Sequence, residues 1–237
     1  MDKNIFKVKG SYVNGQWFNS KNRYDIFNPS NGEKLSDVPI SDKKELELAV
    51  DSAKKAQLIW SKTSLIERAN ALEKLAKKIL EKEEEFALID TYDSGNALTG
   101  MRKDVKETVN NIRYFCGLVR EVKGETFSME KNHLNFTRYQ PYGVVLKINP
   151  FNHPFRFCVE KIAAPLLMGN SLIIKNSEQA PISSLRFCEL LEDIFPKGLI
   201  NVVTGGPDNG KFLVEHPDIK RIAVIGSVNT GIAIAKS

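Results

Sequence analysis

Polar side chains with possible chemical roles follow two short apolar runs near the middle of the chain. Asn152 comes shortly after the run 144–148, and Lys175 and Glu178 stand at and just after the end of the run 171–175. A lysine at this place can hold a ribose hydroxyl or a phosphate. A glutamate can accept hydrogen bonds from both ribose hydroxyls, and it would repel a 2′-phosphate. The two side chains therefore suit a nucleotide, with a solvated Lys–Glu pair as the simpler alternative.

Asn152 has two possible roles when the residues are considered alone. Its neutral amide could donate a hydrogen bond to an oxygen that becomes negatively charged during a reaction. It could also cap a helix that begins at Pro154, because asparagine is a preferred N-cap and proline suits the first helical turn. From the spacing alone, capping is the better interpretation. The neighbouring His153 has no evident acidic partner in the sequence, which favours a structural role for it.

Glycines follow the next two apolar runs along the chain. Gly206 and Gly210 come after the run 199–203, and Gly226 with Ser227 comes after the last run. Glycines at such places let a backbone approach a pyrophosphate, and the N-terminus of a following helix favours its charge. The ordinary dinucleotide fingerprint, G-x-G-x-x-G, is absent. Turn glycines are common, so each position alone is a weak indication.

From residue 143 onward, strand and helix patterns alternate, which would bring these residues to one edge of a sheet. The apolar runs predict strands at 144–148, 171–175, 199–203 and 221–225, with helices at 155–167, 182–194 and 208–215 and a last helix from about Asn229. This alternation predicts the α/β class, with a doubly wound parallel sheet. Ligands of such sheets bind at the carboxyl ends of the strands.

The residues before 143 predict structure without chemistry of its own. An Asn-Gly turn at 14–15 indicates a hairpin, Ser64 and Glu67 form a capping box, and the alternation at 132–140 indicates an edge strand. The predicted division is a β flap at 1–40, a helical segment at 41–125, a strand arm at 126–142 and an incomplete dinucleotide-binding α/β core at 143–237.

Composition is ordinary for a globular protein, with 42% hydrophobic and 27% charged residues and a formal net charge of +5. The lysines alternate with glutamates, which speaks against a nucleic-acid partner. No apolar run approaches the ~20 residues of a membrane span, and no secretory signal is visible, so a cytoplasmic location is expected. Three cysteines without C-x-x-C spacing predict reduced, buried thiols rather than disulfides or a metal site.

Six motifs occur in the order and spacing of the NAD(P)-dependent aldehyde dehydrogenases, which the chain resembles from about Tyr12 to its last residue. They are Pro150-Phe-Asn-His-Pro154, Lys161-Ile-Ala-Ala-Pro165, Gly169-Asn170, Lys175-Asn-Ser-Glu178-Gln179, Asn201-Val-Val-Thr-Gly205 and Gly226-Ser227 with Gly231. The resemblance implies an oxidoreductase that converts an aldehyde, NAD and water to a carboxylic acid and NADH, with NADP less favoured.

The resemblance also assigns roles to residues of this chain. Asn152 would be the catalytic oxyanion donor, and the arm would pair with a neighbouring subunit of a homo-oligomer. The positions expected to bind the cofactor are Ile148, Phe151, Lys175, Glu178, Gly206, Gly210, Gly226 and Ser227. Phenylalanine at 151 replaces the tryptophan that is frequent in the family.

Two groups that the family's chemistry requires have no counterpart in these 237 residues. They are a cysteine nucleophile and a glutamate general base, which follow the Gly-Ser-x-x-x-Gly helix in the family. Cys116, Cys158 and Cys188 do not match the nucleophile position. The chain is therefore expected to be a truncated form, inactive alone, and prone to self-association or to pairing with a missing C-terminal half.

Two alternatives stay open from the sequence. One is a non-catalytic dinucleotide-binding or subunit-interaction protein built from the same half. The other is a reductase of related fold that acts on an acyl phosphate or an acyl thioester.

Overall fold

The chain contains one large sheet with helices on both faces and two small two-stranded sheets, and a computed structural model describes residues 3–237. The strands are β1 Ser11–Val13, β2 Gln16–Phe18, β3 Arg23–Phe27, β4 Lys34–Pro39, β5 Thr126–Phe127, β6 Asn135–Phe136, β7 Val144–Ile148, β8 Ser171–Lys175, β9 Ile200–Val203 and β10 Ile219–Val224. The helices are α1 Lys43–Trp60, α2 Leu65–Glu81, α3 Glu83–Ser94, α4 Leu98–Leu118, α5 Pro154–Val159, α6 Ala163–Leu167, α7 Ile182–Phe187, α8 Pro207–Val214 and α9 Val228–Ala235.

The six-stranded sheet has the order β10-β7-β8-β9-β1-β2. Strands β10, β7, β8 and β9 are parallel to one another, and β1 pairs with β9 in an antiparallel sense. The α/β class and the parallel strands predicted from residue 143 onward are confirmed. The sheet as a whole is mixed, because the N-terminal hairpin adds two antiparallel strands.

Alternating side chains of the central strand enter two different cores. Val144 and Leu146 of β7 pack with α1 on one face, whereas Val145 packs with the helices of the other face. Successive side chains of a strand point to opposite faces, so a strand covered on both sides must be apolar throughout. Lys147 is the exception, and its buried ammonium donates to the carbonyl oxygens of Phe157 and Cys158.

The N-terminal hairpin is part of the main sheet, although the sequence predicted a β flap over 1–40. Buried Asn201 of β9 explains the attachment, because its Oδ1 accepts a hydrogen bond from the Asn14 N–H at 2.9 Å. Strands β3 and β4 form a separate two-stranded sheet. The predicted domain boundaries at 40, 125 and 142 stay predictions.

Two predicted helices are shorter than expected. The segment 155–167 is divided into α5 and α6, because Pro165 lacks the N–H that a continuous helix would need and Lys147 takes the carbonyl groups that end α5. The segment 182–194 is helical only as α7, followed by a 3-10 turn at Cys188–Leu190. The Ser64–Glu67 capping box is present as predicted.

The arm between the helical segment and β7 contains less strand than the sequence predicted. Within 132–140, where the sequence predicted an edge strand, only Asn135–Phe136 is a strand, and it pairs with the short strand Thr126–Phe127. Both short strands are exposed. Among residues 3–237, no helix combines the length and apolar character needed to cross a membrane.

Replacing Asn201 tests the attachment of the hairpin. Its Nδ2 donates to Gly198 O at 2.7 Å, and the whole side chain is buried. We expect Asn201→Ala to lower the free energy of unfolding by about 2–4 kcal/mol, because buried backbone groups lose their partners. Urea denaturation measures this value. The matched change Asn110→Ala, at an exposed position of α4, should stay within about 0.5 kcal/mol.

Exposed apolar side chains on α9 favour self-association of this chain. Val228 is 78% and Ile232 49% exposed, and their spacing of four residues puts them on one face of the helix. We expect the sedimentation coefficient to rise with protein concentration and the double change Val228→Lys with Ile232→Glu to reduce that rise. Leu58→Lys, at an exposed position on α1, serves as the control. A wild-type monomer at all concentrations would contradict the expectation.

Candidate functional site

A cleft of about 660 Å³ lies at the carboxyl ends of β7, β8 and β10. Its walls come from the loops after these three strands and from helices α8 and α9. The chain passes from β7 through β8 to β9 in one direction and then returns to place β10 on the other side of β7. Such a reversal of strand order separates the flanking loops and opens a crevice, which is where open α/β sheets bind ligands.

Seven of the nine residues predicted for the site line this cleft. They are Ile148, Phe151, Lys175, Glu178, Gly210, Gly226 and Ser227. Two do not. Gly206 is the N-cap of α8, and the following Pro207 reaches the cleft in its place. Asn152 is exposed and lies outside the lining of the cleft.

Lys175 and Glu178 form a close pair in the wall of the cleft. Lys175 Nζ lies 3.8 Å from Glu178 Oε2, and only 6% of Lys175 is exposed. Burial lowers the pKa of Lys175, and the Glu178 carboxylate opposes this effect. A Cβ at Gly210 would lie 3.6 Å from the Lys175 side chain, which is an ordinary van der Waals distance, so the backbone of Gly210 lies close to the lysine. A buried lysine is not part of a freely solvated surface pair.

The start of α9 brings an electropositive backbone to the same cleft. Ser227 is the N-cap, and its side-chain oxygen accepts a hydrogen bond from the Thr230 N–H at 3.1 Å. The other N–H groups of the first turn have no partner within a helix and carry partial positive charge. This end of the cleft is therefore suited to an anionic group.

Phe151 and Asn152 are adjacent in the loop between β7 and α5, but only Phe151 lines the cleft. Phe151 is half exposed and lines the cleft, whereas the Asn152 carbonyl oxygen accepts a hydrogen bond from Asn96 Nδ2 at 2.7 Å. The N-cap of α5 is His153, and no side chain caps this helix from the N-cap position. The capping role considered for Asn152 is therefore wrong, and its carboxamide is left free for another partner.

His153 has the acidic partner that the sequence did not reveal. Its Nδ1 is hydrogen-bonded to Oδ2 of Asp104, a buried residue of α4. Oδ1 of Asp104 accepts a hydrogen bond from Arg156 Nη1 at 3.2 Å. The sequence could not reveal this partner, because the two residues are 49 positions apart and only the packing of α4 against α5 joins them. The structural role expected for His153 stays a prediction.

Two buried aspartates on α3 were also missed. Asp90 Oδ2 accepts from the Phe155 N–H at the start of α5, and Asp93 Oδ2 accepts from the Ile182 N–H at the start of α7, both at 2.9 Å. Burial raises the pKa of Asp90 to about 7 and that of Asp93 well above its ordinary value. Both aspartates lie on the buried face of α3, and their spacing of three residues among apolar neighbours was the only local sign of this in the sequence.

The three cysteines are buried and free. Burial raises the pKa of Cys116 to about 11 and also raises the pKa values of Cys158 and Cys188. Reactive cysteines need the thiolate form and access to a ligand, so none of the three is suited to act as a nucleophile. Residues 3–237 contain no cluster of histidine, cysteine and acidic side chains that could hold a metal ion.

Comparison with known proteins identifies the family. The sequence profile of the aldehyde dehydrogenase family matches residues 17–237. The chain belongs to the aldehyde dehydrogenase family. It is 35% identical over 231 residues to an aldehyde dehydrogenase of Talaromyces stipitatus, covering 95% of this chain and 45% of that protein. It is also 35% identical over 209 residues to the 4-trimethylaminobutyraldehyde dehydrogenase of Homo sapiens, with 88% and 42% covered.

Solved aldehyde dehydrogenases share the fold. A betaine aldehyde dehydrogenase of Staphylococcus aureus, in complex with NAD+, matches all of this chain and 48% of its own, with a TM-score of 0.95 and 32% identity. The chain thus spans a little under half the length of the aldehyde dehydrogenases that it matches. The family resemblance stated from the motifs is confirmed.

The buried Asp90 predicts a pH effect on stability. Because its pKa is about 7 in the folded chain and about 3.9 when unfolded, folding takes up a proton between these values. The contribution of Asp90 is therefore most favourable at low pH and declines as pH rises from about 4 to 7. Asp90→Asn keeps an oxygen for the Phe155 N–H and cannot ionise.

We expect the stability of Asp90→Asn relative to wild type to rise by up to about 1.4 kcal/mol per pH unit in that window. Urea denaturation at several pH values measures it. The comparison with wild type removes the contributions of groups that do not interact with Asp90. A difference that does not depend on pH would show that Asp90 keeps an ordinary pKa.

Proposed function

We propose that this chain is the dinucleotide-binding part of an NAD-dependent aldehyde dehydrogenase. In the whole enzyme, an aldehyde, NAD and water would give a carboxylic acid and NADH. The observation that supports this proposal best is the cleft at the carboxyl edge of the sheet, because seven of the predicted residues meet there from three separate loops and a helix.

The cleft fits a dinucleotide in size and in character. Its volume of about 660 Å³ is within the ordinary range of cofactor sites, and its wall is mainly apolar with a few polar groups. Lys175 and Glu178 would hold the adenosine ribose. The first turn of α9, with Gly226 and Ser227, would face the pyrophosphate.

Ile148 and Phe151 would supply apolar contacts at the end of β7. When bound, the nicotinamide cofactor supplies the hydride acceptor. Asn152, next to Phe151, would donate a hydrogen bond from its side-chain amide to the aldehyde oxygen as that oxygen gains negative charge. A neutral donor fixed in advance stabilises such charge without reorganising during the reaction.

Glu178 favours NAD over NADP. A carboxylate that accepts hydrogen bonds from ribose hydroxyls would repel a 2′-phosphate at the same place. Lys211, which also lines the cleft, is largely exposed and lies 3.9 Å from Glu215, so it offers little compensation for that repulsion.

Cofactor binding without turnover is the second candidate function for this chain. It is favoured by the burial of all three cysteines, none of which lines the cleft. An oligomer that uses the arm, where Phe127 and Phe136 are exposed, stays a prediction, as does a cytoplasmic location.

Titration of the chain with NADH tests the cleft assignment. We expect enhanced nucleotide fluorescence on binding and an approximately tenfold weaker Kd for Glu178→Gln, because a charged hydrogen bond is worth about 1.5–3 kcal/mol. The same substitution should reduce the preference for NADH over NADPH. Glu125→Gln, at an exposed position just before the arm, is the matched control and should bind as wild type does.

Asn152→Ala should bind NADH within about twofold of wild type, since the carboxamide lies outside the cleft and this change removes less than about 0.4 kcal/mol of binding free energy. Equal affinity of Glu178→Gln and wild type would remove the ribose assignment. Absence of any NADH binding by a folded wild-type chain would contradict the proposed function.

A further inference from the structure

Two side chains from outside the α/β core hold the loop that carries Asn152. Asn96, in the turn between α3 and α4, donates through Nδ2 to the Asn152 carbonyl oxygen at 2.7 Å. Asp104, on α4, forms a hydrogen bond with Nδ1 of His153, the residue that follows Asn152. Two successive residues of the loop are thus fastened to the same helical segment.

Both anchors are themselves fixed in place. Asn96 Nδ2 also donates a hydrogen bond to Ser94 Oγ at 2.9 Å. Asn96 directly follows Gly95, which is the C-cap of α3 and has a φ of 78°. Asp104 is 5% exposed, and its second oxygen accepts from Arg156 Nη1. A group whose supporting side chains are held in this way keeps its orientation with little further cost.

The Asn152 carboxamide has no hydrogen-bond partner within the part of the chain that the structure describes. What the described contacts hold is the support of this side chain: Asn96 binds the Asn152 carbonyl oxygen, and Asp104 binds the side chain of the neighbouring His153. Hydrogen bonds weaken steeply with distance and angle, so an oxyanion donor of this kind depends on a fixed backbone.

Building on the oxyanion role proposed above, we propose that Asn96 and Asp104 are positioning residues for Asn152. Asn96 restrains the peptide that follows Asn152. Asp104 accepts a hydrogen bond from His153, which requires the proton to be on Nδ1 of the imidazole. Neither residue lines the cleft, so neither would bind the dinucleotide directly.

Nuclear magnetic resonance of the full 15N-labelled chain tests this inference. The side-chain amide signal of Asn152 is assigned by its loss in Asn152→Ala. In wild type, we expect the backbone of Asn152 and His153 to have order parameters near ~0.85. In Asn96→Asp and in Asp104→Ala these values should fall below about 0.6, and the carboxamide signal of Asn152 should shift.

Two further variants separate positioning from general destabilisation. Asp104→Asn keeps an oxygen that can accept from His153 Nδ1–H, so it should restore most of the order that Asp104→Ala removes. Asn110→Asp makes the same chemical change as Asn96→Asp on the exposed face of α4 and should leave Asn152 unchanged. Thermal unfolding of each variant records its stability. If Asp104→Ala does not fold, Asn96→Asp, in a half-buried turn, still provides the test.

Unchanged order at Asn152 in Asn96→Asp would overturn the inference, and so would a lower Tm without any change at Asn152. NADH titration of the same samples keeps the two proposals distinguishable. If the wild-type chain binds NADH and the order parameters and carboxamide signal of Asn152 do not change in either variant, only the positioning role is contradicted. A wild-type chain that fails to bind NADH while Asn152 responds would contradict only the cofactor site.

Discussion

Strand β7 is hydrogen-bonded on both sides by parallel neighbours, β8 and β10, and the rest of the site depends on this arrangement. Parallel strands end at the same edge, so the loops after all three converge there. Strands β7 and β8 are covered by helices on both faces, which explains why they are almost entirely apolar. Strand β10 lies at the edge of the sheet and has no buried residue. The chemistry is consequently confined to the residues immediately beyond each strand.

The helical segment contributes to the same edge through acids that are rare in protein interiors. Asp90 and Asp93 supply the caps that α5 and α7 lack in their own sequences, and Asp104 fastens His153. A helix N-terminus stabilises a carboxylate, but complete burial opposes its ionisation. The raised pKa values of Asp90 and Asp93 show that burial has the larger effect at both positions. The helices before β7 therefore do more than cover the sheet, since they hold the loops that follow two of its strands.

Much of the cleft could be predicted because its signals are local. An apolar run identifies a strand, and the residues just after the run are then expected at the carboxyl edge. Lys175, Glu178 and Gly226 were found in this way. The contacts around Asn152 could not be predicted, because each joins residues that are far apart in the chain. Asn96 and Asn152 are 56 positions apart, and Asp104 and His153 are 49 apart. No local pattern encodes such pairs.

The most direct test of this account is a crystal structure of the chain grown or soaked with NAD+. The account predicts density for the dinucleotide along the carboxyl edge, with a ribose beside Glu178 and the pyrophosphate at the start of α9. Asn152 would lie beyond the nicotinamide end with its carboxamide free. An ordered protein with no nucleotide in that cleft, or with the nucleotide bound elsewhere on the surface, would contradict the account.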